Sequence, residues 1–138
     1  MTVQFVDTNL FIRHLTRDDP QKAQACFDLF LKAQRDEVAL TTSESIVAEV
    51  VYVLSSKQLY NLPREQIRAL LYPILLLKGF KLPQREIYLR ALDFYAAHPS
   101  LDFEDVLAVA HMERQGIVEL YSYDEDFDRV GGIRRLEP

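Results

Sequence analysis

The order of the apolar segments constrains this chain more than any other feature of its sequence. Short apolar runs typical of strands alternate with longer segments whose apolar residues recur at helical spacing. The first run, Val3–Val6, ends at Asp7, and a later one, Ile117–Tyr121, is followed by Ser122. Parallel strands need crossover connections, which are usually helices. The alternation therefore predicts an α/β fold with a mainly parallel sheet and helices on both faces.

Residues that begin and end helices divide the chain into elements. Asp19 before Pro20 and Asp102 before Phe103 indicate helix starts, and Gly116 indicates a helix end. The predicted helices span about residues 9–15, 20–35, 43–56, 63–78, 84–97 and 103–115. The predicted strands span about residues 3–6, 38–40, 80–82, 117–121 and 133–136. We therefore expect a helix-rich fold with four to five strands.

Length and composition indicate one globular unit. The chain has 138 residues, so we expect a single domain over residues 1–138. Its one cysteine, Cys26, excludes an intramolecular disulfide and suits a reducing cytosol. The N-terminus lacks the basic and apolar regions of a signal peptide, and no apolar run approaches the ~18 residues of a membrane span. We expect a cytoplasmic protein that does not enter the membrane.

Four acidic residues lie at the ends of predicted elements or beside the predicted core. Asp7 and Asp124 follow strands, Asp105 opens a helix, and Glu49 lies on the shoulder of the apolar face of the helix over residues 43–56. The carboxyl ends of parallel strands meet at one edge of a sheet, so carboxylates there approach one another. Their repulsion is usually relieved by a hard divalent cation with oxygen ligands. The pattern indicates a metal-dependent hydrolase of phosphodiesters, and favours a ribonuclease.

Each acidic residue also has a purely structural interpretation. Asp7 occupies the position of a helix cap, a role that Asn9 could also fill. Asp102 and Asp105 have the spacing of an N-cap and an acidic third residue. Acidic residues such as Asp124 are also common in turns. The joint placement of these residues, rather than any one of them, favours a metal site.

The net charge of −5 opposes nucleic-acid binding. Two divalent cations would add four positive charges and leave about −1, and RNA association would still need a local basic rim. The candidates for this rim are Arg13, Lys78, Lys81, Arg85, Arg90, Arg134 and Arg135. We interpret all of them except Arg13 as solvated surface charges.

Four segments in this order and spacing resemble PIN-domain ribonucleases, and in particular VapC-type toxins of bacterial toxin–antitoxin pairs. The segments cover nearly the whole chain and read VDTNLFIRHLTRDDP, SIVAEVVYVL, LDFEDVLAVA and YSYDEDFDRVGGIRRL. The resemblance implies a three-layer α/β/α sandwich whose central sheet has the strand order 3-2-1-4-5. Val106 departs from the family pattern, which commonly has alanine at this position.

The resemblance also implies an acidic site that binds one or two Mg²⁺ or Mn²⁺ ions and cleaves RNA internally. The family's catalytic carboxylates correspond to Asp7, Glu49, Asp105 and Asp124. Of these, Asp7, Asp105 and Asp124 would hold the metal, and Glu49 would do so directly or through water. Supporting positions are Thr8, Asn9, Asp102 and Ser122. Arg13 is a candidate contact to RNA or to the antitoxin.

The implied partners are RNA, a small VapB-like antitoxin and a second copy of the chain, with the helices from Ser43 to Leu77 as candidate dimer surfaces. Two alternatives stay open: an RNA-processing nuclease outside a toxin–antitoxin pair, and a PIN-fold scaffold for protein binding. A phosphatase with an aspartate nucleophile is disfavoured, because it would have a second aspartate at position 9, where this chain has Asn9. A receiver domain is also disfavoured, because it would have a lysine after its late strand, and this chain has Ser122 there.

Overall fold

The computed structural model describes all residues, 1–138, which form six α-helices, four β-strands and one 3-10 helix. Each strand has three residues, and the strands form two parallel pairs. The chain divides into two compact units, Met1–Arg85 and Glu86–Pro138. None of the helices combines the length and the apolar character that a membrane span requires.

The first unit contains a parallel strand pair and four helices. In chain order these are β1 (Val3–Phe5), α1 (Thr8–Thr16), α2 (Pro20–Gln34), β2 (Ala39–Thr41), α3 (Glu44–Ser55) and α4 (Arg64–Leu75). Val3 lies opposite Ala39, and Phe5 lies opposite Thr41. A single parallel bridge joins Leu40 of β2 to Phe80.

An aromatic core fixes the position of α1 in this unit. The rings of Phe11, Phe30 and Phe80 are buried, with centroid separations of 5.9 to 6.4 Å. Phe11 belongs to α1 and Phe30 to α2, while Phe80 is held at β2 by its bridge to Leu40. Burial of these rings contributes roughly 1.5–3 kcal/mol each and orients the start of α1, which follows Asp7.

The second unit contains the other parallel strand pair. Its elements are α5 (Arg85–Ala97), which begins at the last residue of the first unit, α6 (Phe103–Gln115), β3 (Glu119–Tyr121), the 3-10 helix Glu125–Arg129 and β4 (Arg134–Leu136). Glu119 lies opposite Arg134, and Tyr121 opposite Leu136. The chain leaves α6 through Gly116, whose φ of 69° is a left-handed conformation that glycine adopts readily.

The strand predictions are confirmed only in part. The parallel pairing of the first two strands and that of the last two are present, and the fold is helix-rich α/β. The expected single sheet is not what the structure has, because its four strands form two separate pairs. Residues 80–82 form one bridge instead of a strand, since Pro83 lacks the N–H group that would extend the pairing. The complete strand order 3-2-1-4-5 stays a prediction.

Candidate active site

Thr8 connects Asp7 with Glu49 in the first unit. Asp7 caps α1, and its Oδ1 accepts a hydrogen bond from the Thr8 N–H at 2.7 Å. The buried Thr8 hydroxyl donates to Glu49 Oε2 at 2.9 Å, across 41 positions of sequence. Asp7 and Glu49 are both exposed. We call Asp7, Thr8 and Glu49 the first acidic cluster.

The end of β1 is held by β2, so that Asp7 leaves the strand at a defined position. The Val6 N–H donates to the Thr41 carbonyl at 2.8 Å. The Thr42 hydroxyl donates to the Val6 carbonyl at 2.9 Å and is buried. Thr42 does not cap α3, because the N-cap of that helix is Ser43. No local sequence signal reveals this role, because Thr42 and Val6 are 36 positions apart.

Asp102 and Asp105 lie together at the start of α6 in the second unit. Asp102 is the N-cap, and its Oδ1 accepts a hydrogen bond from the Asp105 N–H at 2.8 Å. Burial raises the pKa of Asp105, and the negative charges of Asp102 and Asp124 raise it further. Asp105 is therefore a carboxyl group that gains from a nearby positive charge. We call Asp102, Asp105 and Asp124 the second acidic cluster.

Asp124 is held by hydrogen bonds in the turn after β3. Its N–H donates to the Ser122 hydroxyl at 3.0 Å, and its Oδ1 caps the 3-10 helix at the Asp126 N–H, 2.9 Å away. The Arg135 guanidinium donates to the Ser122 carbonyl at 3.0 Å and to Asp128 Oδ1 at 3.0 Å. The Arg135 side chain is only 12% exposed. It organises this turn and is not the solvated surface charge that the sequence suggested.

The two acidic clusters contain no compensating cation. None of their five carboxylates forms an ion pair with a lysine or arginine, whereas Arg13, Arg90 and Arg135 pair with other acids. No group of three or more His, Cys, Asp or Glu side chains is placed so that it could hold a metal ion. The carboxylates thus form pairs and near neighbours and not a complete ligand set. Their chemistry, anionic oxygen without a positive partner, fits a hard divalent cation.

The remaining predicted site residues, Asn9 and Arg13, lie outside the two acidic clusters. Asn9 is exposed in the first turn of α1 and lines a cavity of about 400 Å³ together with Arg13 and Lys22. The Arg13 guanidinium donates to Asp18 at 2.9 Å. The other rim candidates are also paired or hydrogen-bonded, through Asp36, Glu113, Glu119, Asp128 or backbone carbonyl groups. The candidates for a basic rim are thus largely engaged by neighbouring groups.

The structure is that of a helix-rich α/β protein with parallel strand pairs. Carboxylates without a positive partner lie at the ends of its elements. The model of the PIN domain family matches residues 5–133. The chain therefore belongs to the PIN domain family. PIN domains are in general nucleases that use divalent metal ions, which places the chain among the hydrolases. A search among curated proteins gave no match.

Proposed function

We propose that this protein is an endoribonuclease dependent on Mg²⁺ or Mn²⁺, and that it is the VapC-type toxin of a toxin–antitoxin pair. The observation that carries the proposal is the state of Asp105. It is a partly buried carboxyl group with a raised pKa, close to two further acids and without a cationic partner. A bound divalent cation would stabilise the charged form of this carboxyl group, which supports metal binding by this PIN-domain protein.

In this proposal Asp7, Asp105 and Asp124 hold one or two cations, and Glu49 takes part directly or through water. Mg²⁺ keeps several waters and needs few protein carboxylates, so pairs of carboxylates are sufficient. The proposal takes residues 1–138 as one PIN domain with the strand order 3-2-1-4-5. Thr8, Asn9, Asp102 and Ser122 act as supporting residues.

The residues of the chain have separate tasks in this reaction. The Thr8 hydroxyl fixes the Glu49 carboxylate, and the Ser122 hydroxyl fixes the backbone of Asp124. Glu49 or Asp124 would orient the attacking water and accept its proton. When bound, the divalent cation supplies Lewis-acid activation of water and neutralises the charge that develops on the phosphate. Arg13 is proposed to contact a phosphate or the antitoxin.

Metal binding is tested first, because it needs no knowledge of the substrate. Thermal unfolding is measured with and without Mn²⁺ or Mg²⁺ for wild type, Asp7→Asn and Asp105→Asn. We expect the metal to stabilise wild type by about 2.7 kcal/mol at a hundredfold excess over Kd. Asparagine retains the capping ability of aspartate at position 7, and Asp105 caps no helix, so both variants should fold. Both remove a negative charge and should lose most of the metal response.

Two matched variants control for nonspecific effects. Glu104→Gln removes an exposed acid next to Asp105, and Asp19→Asn changes the N-cap of α2 as Asp7→Asn changes that of α1. Both should keep the metal response of wild type. A wild type whose stability does not change with either metal would leave Asp7 as a helix cap and Asp105 as an acidic residue in the first turn of α6, and would support a protein-binding scaffold.

Endonuclease activity is tested with a circular RNA, which has no ends for an exonuclease. We expect linear products with Mn²⁺ or Mg²⁺, none with EDTA, and at least about a hundredfold lower rate for Asp7→Asn and Asp105→Asn. Metal binding without cleavage of any tested RNA would contradict the ribonuclease proposal while leaving the metal site intact.

The toxin, antitoxin and dimer proposals need separate tests. Tyr52, Leu59 and Leu76 lie within or beside α3 and α4 and are 69%, 58% and 52% exposed, which is compatible with a homodimer surface. Light scattering should give a dimer mass that Leu76→Asp lowers to that of a monomer.

Expression of wild type, but not of Asp7→Asn, should arrest bacterial growth, and coexpression of a small partner should restore it. Growth without arrest would favour an RNA-processing nuclease outside such a pair.

A further inference from the structure

We propose that the cavity between α1 and α2 binds one unpaired nucleotide of the RNA strand. This inference rests on the proposed function and deepens it, since it assigns a substrate subsite beside the first acidic cluster. The cavity has a volume of about 400 Å³ and is lined only by residues of the first unit. Its volume falls within the range of about 300–1,000 Å³ that is usual for ligand pockets. One side of the cavity is apolar, and the other side is polar and positively charged.

The apolar side suits the flat face of a base. It consists of Leu10 from α1 and of Ala25, Cys26 and Leu29 from α2. Burial raises the pKa of the Cys26 thiol, so the thiol is neutral and behaves as a small apolar group. Bases in single-stranded RNA can leave their stack and pack against protein side chains, whereas bases in a duplex cannot. The cavity therefore suits an unpaired nucleotide.

The polar side attracts negative charge. Arg13 and Lys22 line the cavity, and no acidic residue does. Lys22 is exposed and has no ion pair, so it is available to a phosphate group. The guanidinium of Arg13 is held by Asp18, whose carboxylate also accepts a hydrogen bond from the Tyr60 hydroxyl. A side chain that is fixed before binding loses little conformational entropy when the ligand arrives.

Asn9 supplies the group that can recognise the edge of the base. Its side chain is exposed, lines the cavity and has no hydrogen-bond partner within the chain. The amide of asparagine both donates and accepts hydrogen bonds. The edges of unpaired bases carry donors and acceptors side by side, so one amide can form two hydrogen bonds with one base.

The position of the cavity favours RNA over a protein segment as its occupant. Asn9 follows Thr8 directly, and the cavity extends along α1 to Arg13, about 6 Å further along the helix axis. A protein segment that neutralised the first acidic cluster would be basic, and Arg13 and Lys22 would repel it. An RNA strand is attracted both by these two cations and by a divalent cation at Asp7. The first unit has a formal charge of +2 (11 − 9), which does not oppose a phosphate backbone.

The test measures RNA binding in EDTA, so that cleavage does not interfere. Anisotropy of a labelled single strand of about 12 nucleotides gives Kd for wild type and variants. Ala25→Trp fills the cavity from an exposed position and should raise Kd by about tenfold or more. Asn9→Ala should raise Kd by about 2- to 10-fold through lost hydrogen bonds, and Asn9→Gln, which retains the amide, should raise it less. Ala97→Trp is the control, since it changes an exposed alanine at the end of α5, outside the cavity, and should leave Kd unchanged.

A strand with abasic positions shows whether the base occupies the cavity. Wild type should bind this strand as weakly as Ala25→Trp binds the intact strand. The inference is overturned if Ala25→Trp binds RNA like wild type, if wild type binds the abasic strand as tightly as the intact strand, or if wild type binds no single-stranded RNA. A cavity that serves a protein partner would give the first of these results.

Two further outcomes separate this inference from the proposed nuclease activity. Base-dependent binding that Ala25→Trp abolishes, without cleavage in Mn²⁺, would refute the nuclease alone. Cleavage of circular RNA by Ala25→Trp at the rate of wild type would refute this inference alone.

Discussion

Thr8 is the residue on which the first acidic cluster depends, because its backbone N–H and its hydroxyl reach two different carboxylates. Thr8→Val keeps the shape of the side chain and the bond to Asp7 but removes the bond to Glu49. We expect the free energy of unfolding to fall by about 1–2 kcal/mol, since a hydrogen bond to a charged group is lost at a buried position. Urea denaturation measures this change, and Thr8→Ser should retain most of the stability. Equal losses for valine and serine would mean that packing of the methyl group matters and the hydroxyl does not.

His14 makes the stability of the first unit depend on pH. Its ring lies between Phe27 and Phe30, and its buried Nδ1 has no hydrogen-bond partner. Burial lowers the pKa of His14, and the positive charge of Arg17 lowers it further. The folded state thus favours the neutral ring. Its contribution to stability is complete above the ordinary pKa of about 6.5 and is lost as the pH falls from there through the lowered pKa of the folded state.

This prediction is checked by denaturation of wild type and His14→Phe from pH 8 to pH 5. Titration of the other groups is common to both proteins and cancels in the difference. We expect wild type to lose stability relative to His14→Phe as the pH falls. A constant difference across this range would show that protonation of His14 does not oppose folding.

At the level of elements, Gly79 permits a close contact between the backbones of α2 and the segment that follows α4. Its N–H donates to the Ala33 carbonyl at 2.7 Å, and a Cβ atom at Gly79 would lie 2.7 Å from the same oxygen. Because the neighbour is backbone and cannot move aside, Gly79→Ala should lower the free energy of unfolding by about 1–3 kcal/mol or more. Gly131→Ala is the control, since a Cβ there meets nothing within 4 Å, and it should change stability by less than about 0.5 kcal/mol. Similar midpoints for both variants in urea would contradict this account.

The elements that the sequence predicted well are those with local signals at both ends. The helix over residues 103–115 begins at the Asp102 cap and ends before Gly116, and α6 has these bounds. The helix expected to reach residue 78 ends at Leu75 instead, two residues after Pro73. The strand expected over residues 80–82 forms only one bridge, to Leu40, because Pro83 lacks the N–H group that would extend the pairing. Pairing of short strands is a tertiary property.

The same limit applies to the site as a whole. The sequence places Asp7, Asp102 and Asp124 at element ends, and the structure places them there as caps. It does not reveal the bond between Thr8 and Glu49, which joins elements 41 positions apart. Nor does the sequence separate Arg134, whose side chain is exposed, from Arg135, whose side chain is only 12% exposed. Successive strand residues face opposite sides, and only the paired structure shows which side is covered.

The charge of the whole molecule predicts how RNA binding responds to salt. The chain carries −5 in total, with +2 (11 − 9) in residues 1–85 and −7 in residues 86–138. Several cations of the first unit are paired with acids, so we expect only two to three phosphates to be neutralised. For a single strand this number gives a slope of log K against log salt of about −1.4 to −2.1. Binding in EDTA should then weaken by about tenfold between 50 and 200 mM salt.

Lys22→Gln should reduce the magnitude of the slope by about 0.7, because Lys22 is exposed and has no ion pair. A slope steeper than about −4 would require many phosphate contacts and would contradict the expectation that most cations of the chain are already paired.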